Sequence, residues 1–181
     1  MIAVLDANVL FPTVLREIVA DCAASNLFTP IWSERILQEW TRAAGRLGPI
    51  ASDIAAAEAA LLRDRFPAAA MPGDEDRARG FDLPDPADLH VLAAGLESGA
   101  QAVVTLNLRD FPRRAMAAAG LRALHPDAFL MELWLDDPDA VAAAVTAAHA
   151  KAESLGGPVP LRSMMKRARL PRLGRALGGR G

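Results

Sequence analysis

Four places in the sequence hold carboxylates or carboxamides where chemistry could be done: Asp6 with Asn8, Glu39, Asp85 with Asp88, and Asn107 with Asp110. Asp6 closes the apolar run IAVLD, and Asn107 follows the strand-like AVVTL. Strands of a parallel sheet share the edge at which their C-terminal ends emerge, and such sheets commonly bind ligands there. Asp88 stands at the mouth of a helix between the two runs. Glu39 reaches the same edge from its own helix once Ile36 and Trp40 pack against the sheet. Carboxylates gathered in one place repel one another unless a cation lies among them. All the candidate side-chain donors are oxygens, which suits Mg²⁺ or Mn²⁺ and not a structural zinc. Taken singly, each acid has a plainer reading: Asp88 as a helix N-cap, Asp110 as a cap for the short helix after Pro112, Glu39 as a helix-surface charge.

The elements that must deliver these residues follow from hydrophobic spacing. IAVLD has the unbroken apolar character of a buried parallel strand, and helical spacing runs through Val14, Leu15, Ile18, Val19 and Cys22. Residues 27–29 predict a second short strand ended by Pro30, and Ser33 opens a helix with the apolar stripe Ile36, Leu37 and Trp40. Glu39 lies at the edge of that stripe. A further helix over 51–66 leads into MPGDEDRARGFDLPDPAD, read as a surface loop around a short strand or bend. HVLAAGLESG is a helix, residues 111–119 form a short one, and LRAL supplies a last strand. The alternation of strands and helices specifies an α/β fold with a central, mainly parallel sheet covered on both faces. From 126 onward the chain reads as helical, with segments at 128–135, 138–155 and 161–169.

Composition sets the outer bounds. The chain has 181 residues, 52% of them apolar and 23% charged, enough for one domain with a full core. Cys22 is the sole cysteine, which excludes an intrachain disulfide and thiolate zinc clusters. No basic leader precedes the first apolar residues and no long uncharged run follows, so a soluble, cytoplasmic protein is expected. The formal charge of −2 conceals a division along the chain. Residues 1–157 carry 13 Lys and Arg against 22 Asp and Glu, whereas residues 158–181 carry 7 basic residues and no acid. Such a tail could track nucleic acid, dock on an acidic surface, receive an acidic partner, or merely solubilise.

These motifs, taken in order, resemble those of PIN-domain ribonucleases, in particular the VapC-like toxins of type II toxin–antitoxin systems. VLDANVL resembles the family's first strand and first metal-binding aspartate, and ILQEW the helix with its second acid. DPADLHVLAAG resembles the segment with its third, and VVTLNLRDFP the strand end with its final positions. The resemblance implies a three-layer α/β/α domain over 1–125 and a helical extension with a basic tail over 126–181, packed on the core or at a subunit or partner interface. It implies catalytic, metal-binding roles for Asp6, Glu39, Asp88 and Asp110, with Asn8, Asp85, Thr105 and Asn107 as near-site support. Which of Asp85 and Asp88 is the closer ligand stays open, although helix register favours Asp88. So does the number of metals, since Asn107 keeps an oxygen donor without a charge.

The function implied is a Mg²⁺- or Mn²⁺-dependent endoribonuclease that hydrolyses RNA by metal-activated water, restrained by an antitoxin protein and able to form a homodimer. Arg109, Arg113 and Arg114 are candidates for contact with the RNA backbone. The alternative is a metal-binding, RNA-binding protein with little catalysis. A receiver-like phosphotransfer domain is disfavoured because Lys151 and Lys166 both lie far from the strand ends. His90, two residues after Asp88, reads as a packed core histidine in preference to a general base.

Overall fold

The computed structural model describes residues 1–179. Arg180, counted above in the basic tail, lies outside the described residues. The fold class is α/β: five strands in the order β3-β2-β1-β4-β5, every pair parallel, flanked by helices in a manner consistent with a three-layer α/β/α arrangement. The strands are β1 (Ile2–Leu5), β2 (Thr29–Ser33), β3 (Ala70–Met71), β4 (Ala102–Val104) and β5 (Arg122–Leu124). The chain clusters into two compact units, one of residues 1–11 and 29–124, the other of residues 12–28 and 125–181.

The first unit contains the whole sheet, with α1 (Ala7–Leu10), α3 (Glu34–Gly45), α4 (Pro49–Arg65), α5 (Leu89–Ser98) and α6 (Arg113–Ala118). The intervening α2 (Thr13–Ala24) belongs to the second unit. β1 is the middle strand, and Ala3, Val4, Val103 and Val104 are wholly buried. Each such valine contributes about 1.5–3 kcal/mol relative to exposure. The register pairs Leu5 with Val104, which sets the next residues, Asp6 and Thr105, side by side where the two strands end. Strand order also reverses between β1 and β4, the kind of position at which parallel sheets hold ligands.

α5 lies close on this part of the sheet because Gly95 has no side chain. A Cβ there would stand 3.0 Å from Leu121 Cδ1 and 3.5 Å from Val4 Cγ2. The close approach fixes the helix's first turn, with Asp88 just before it and His90 within it. α3 begins at Ser33, whose hydroxyl accepts from the Ile36 amide at 3.2 Å, and buries Ile36, Leu37 and Trp40.

One expectation is corrected. The second strand does not stop at Pro30 but runs through it, from Thr29 to Ser33. The Thr29 amide donates toward β1, to Met1 O, and the Trp32 amide away from it, to Ala69 O. Pro30, in phase with Trp32, would therefore donate away from β1. β3 pairs with β2 only at Trp32 and Ser33, so no ladder bond is lost at the proline.

The second unit is helical: α2 with α7 (Pro126–Asp136), α8 (Pro138–Gly156), α9 (Leu161–Arg167) and α10 (Pro171–Gly178). Phe28 meets Phe129 edge to face at 4.9 Å, and Lys151 bonds Glu17 at 2.9 Å, joining α8 to α2. Cys22 is fully buried in this unit, and burial pushes its thiol up to about 12.

Candidate functional site

At the end of β1 the backbone turns into α1, and the Asp6 amide donates to Val104 O at 3.1 Å. Asp6 is only 8% exposed. Its Oδ2 accepts from Thr105 Oγ1 at 2.6 Å and from Asn8 Nδ2 at 2.5 Å. Asn8 is held in turn, its Nδ2 donating to Thr105 Oγ1 at 3.0 Å and its Oδ1 accepting the Leu106 amide at 2.8 Å. Thr105 Oγ1 also accepts the Asn107 amide at 3.0 Å. Asp6, Asn8 and Thr105 thus form a clamp that stitches two strand ends together and orients one carboxylate. Burial, with the charge of Glu39 adding, holds the Asp6 carboxyl above the ordinary 3.8, against the bonds from Thr105 and the amides of Ala7 and Asn8.

Asp88 ends a 3-10 turn (Pro86–Asp88) just before α5, and its side chain makes no capping bond there. Burial comes first among the causes that push its carboxyl up to about 6, followed by the negative charges of Asp6, Asp110 and Asp85. Asp85 is exposed, and its Oδ1 caps the same turn by accepting the Ala87 amide at 2.8 Å. On the strand-end loop after β4, Asn107 Nδ2 donates to Asp110 Oδ2 in a short hydrogen bond. Arg109, Arg113 and Arg114 are exposed there and have no ion pair among the described residues.

Glu39 is half-buried on α3. Arg35, one turn earlier, donates Nε to Glu39 Oε1 at 3.2 Å, and His90 Nε2 lies 3.0 Å from the same oxygen. Burial works to raise the Glu39 carboxyl, but His90 and Arg35 outweigh it and hold the group below 4.5. Arg35 also binds Glu75 and, through a second nitrogen, Ala87 O at 3.0 Å. It therefore ties α3 to the loop that carries Asp85 and Asp88.

Charge therefore links Asp6 to Glu39, and Asp88 to Asp6, Asp85 and Asp110. Asp85 also caps its own turn, and Asn107 bonds Asp110 within its loop. Among the described residues, no three His, Cys, Asp or Glu side chains close into a group that could hold a metal ion. The donor chemistry nevertheless fits a hard divalent cation: all donors are oxygens, and both Asp6 and Asp88 resist ionising partly because of neighbouring negative charge. Arg35 is not among the candidates the sequence singles out, although its i, i+4 spacing to Glu39 is the usual sign of a helix ion pair. His90 is buried as its position in an apolar helix implies, and its contact to Glu39 comes only with the fold.

A family model described as PIN domain matches residues 3–109, more than half of the chain. Among curated proteins, the putative ribonuclease VapC50 of Mycobacterium tuberculosis (strain ATCC 25618 / H37Rv) is 47% identical over 45 residues. The match covers 25% of this chain and spans only 27% of that relative's length. No solved structure matches the chain.

Proposed function

The chain belongs to the PIN-domain family, and from that premise we propose that it is a divalent-cation-dependent endoribonuclease, the toxin half of a toxin–antitoxin pair. The observation that carries the reading is the buried Asp6 carboxylate, held by Thr105 and Asn8 where β1 and β4 end side by side, with the negative charges of Asp6 and Asp110 acting on Asp88 from separate segments. The similarity to a putative ribonuclease over 45 residues supports the same reaction class.

Asp6, Glu39, Asp88 and Asp110 would hold Mg²⁺ or Mn²⁺. The bound cation would make a water more acidic and stabilise charge on the scissile phosphate. The chain's own residues prepare for this. The Asn8–Thr105 clamp fixes the Asp6 carboxylate, so little side-chain freedom remains to be lost on binding. Arg35 and His90 keep Glu39 ionised and oriented. Asp85 shapes the turn that presents Asp88. Arg109, Arg113 and Arg114 offer positive charge beside Asp110 for the backbone of the RNA.

Residues 1–125 are proposed as the nuclease core and 126–181 as its extension, with RNA as substrate, an antitoxin as restraining partner, and homodimerisation as an assembly mode. None of the described helices is long and apolar enough to cross a membrane. We assign the protein to the cytoplasm as part of the same proposal. A second reading, a cation- and RNA-binding protein with little catalysis, is favoured by one observation: the acids do not close into a three-ligand group.

Purified full-length protein incubated with total RNA, with and without Mn²⁺ or Mg²⁺, separates the two. Cleavage that needs the cation and disappears in Asp6→Asn supports the nuclease. RNA binding without cleavage under every cation condition selects the second reading, and equal cleavage by Asp6→Asn and the parent rejects the assigned site.

A further inference from the structure

The last two helices take no part in the site just described, yet they are firmly built. Asp127, buried in the first turn of α7, accepts the amides of Arg172 at 3.0 Å and Leu173 at 3.1 Å, so its carboxylate caps the start of α10. Leu170 and Leu173 are fully buried. α10 also closes tightly on α9, because a Cβ at Gly174 would stand 3.0 Å from Met165 Cβ. The basic C-terminal segment is therefore a folded surface over its described length.

Between α9 and α10 runs a groove of 730 Å³ lined mainly by apolar atoms, with Leu161, Met165 and Leu177 among its walls. Arg162, Lys166 and Arg175 also line it, are exposed, and pair with no carboxylate among the described residues. We propose that this groove is a docking site for an amphipathic helical segment of another protein, apolar on one side and acidic along its flanks. Apolar walls supply lasting affinity for such a helix, and the unpaired cations supply attraction and register.

The other occupants fit the groove less well. Nucleic acid would find phosphate-binding charge but nothing to stack on, since no aromatic side chain lines the groove. A second copy docking through the same face would bring the two sets of cations together. The inference rests on the helical unit alone, and its test reads binding. It can fail or succeed whatever the chain does to RNA.

The test is selection of a displayed library of helical peptides against the folded full-length protein, followed by binding of the enriched peptides to the Arg162→Glu/Lys166→Glu variant. Both changed residues are exposed, and circular dichroism checks that the variant is folded. The expected result is enrichment of acidic amphipathic sequences whose affinity falls about tenfold or more in the variant and weakens as salt rises. The proposal is overturned if no sequence is enriched, if enriched peptides lack acids, or if they bind variant and parent alike. It is equally overturned if a labelled single-stranded RNA binds the parent, loses that binding in the variant, and displaces the peptides, since the groove then serves nucleic acid.

Discussion

His90 Nε2 lies 3.0 Å from Glu39 Oε1, joining a fully buried imidazole on α5 to a half-buried carboxylate on α3. Ser33 Oγ stands 3.4 Å from the other ring nitrogen. Through this contact His90 is the foremost of the neighbours that hold the Glu39 carboxyl down. His90→Ala should remove a packed polar side chain at a cost of about 1–3 kcal/mol. The same change should let the Glu39 carboxyl titrate nearer its ordinary 4.5, read by carboxyl carbon NMR in the metal-free protein. His90→Gln, which keeps bulk and a donor, should recover most of both effects. An unchanged Glu39 titration in His90→Ala would remove His90 from its positioning role.

Asp88 carries a pH signature of the opposite sign. Its carboxyl is raised from 3.8 to about 6, so the folded state holds this proton more tightly than the unfolded chain does. The associated stability is complete below 3.8 and is lost as pH rises through about 6. Asp88→Asn should therefore stabilise the metal-free protein at about pH 8 by on the order of 1 kcal/mol, discounted for the side chain's partial exposure. The advantage should vanish at about pH 4, and the variant should not cleave RNA. Thermal melts across this range check it, and a variant less stable than the parent at high pH contradicts it.

Thr105 links both strand ends through one hydroxyl. Thr105→Val would keep the shape but leave Asp6, Asn8 and the Asn107 amide each short of a partner. The expected cost is about 1–3 kcal/mol in urea unfolding, with RNA cleavage reduced about tenfold or more. Thr105→Ser should restore most of both. If valine matches the parent in stability and cleavage, the clamp does not orient Asp6.

Asp127 should govern the C-terminal segment locally. Asp127→Ala removes the acceptor for the Arg172 and Leu173 amides, a loss of about 1–2 kcal/mol by analogy with other helix caps. Hydrogen exchange at these two amides should quicken, and trypsin should cut near Arg172 or Arg175 before it cuts elsewhere. Asp127→Asn should fall between alanine and the parent. Unchanged exchange at Leu173 would show that α10 is held by its apolar contacts alone.

Much of the molecule is legible in the sequence alone, because strands, helices and caps depend on near neighbours. IAVLD reads as a buried parallel strand, AVVTL as strand-like, Ser33 as a helix start, and Ile36, Leu37 and Trp40 as an apolar stripe with Glu39 at its edge, and each is found so. Pro30 misled because a proline's effect on a strand depends on which edge its missing donor faces, a property of the neighbouring strand and not of the sequence around it.

The partners of buried polar groups were not legible, because they come from distant segments brought together only by packing. Sequence order placed acids at strand ends. The register of Leu5 against Val104 set Asp6 beside Thr105, and the seating of α5 through Gly95 put His90 against Glu39. Whether four acids close into a ligand group depends on side-chain separations of a few ångströms, set by those same contacts, and among the described residues they share charge without closing. The excess of positive charge at the C-terminus was plain from composition. That its cations line an apolar groove was decided by Asp127 capping a helix far along the chain, a contact that chain order alone does not specify.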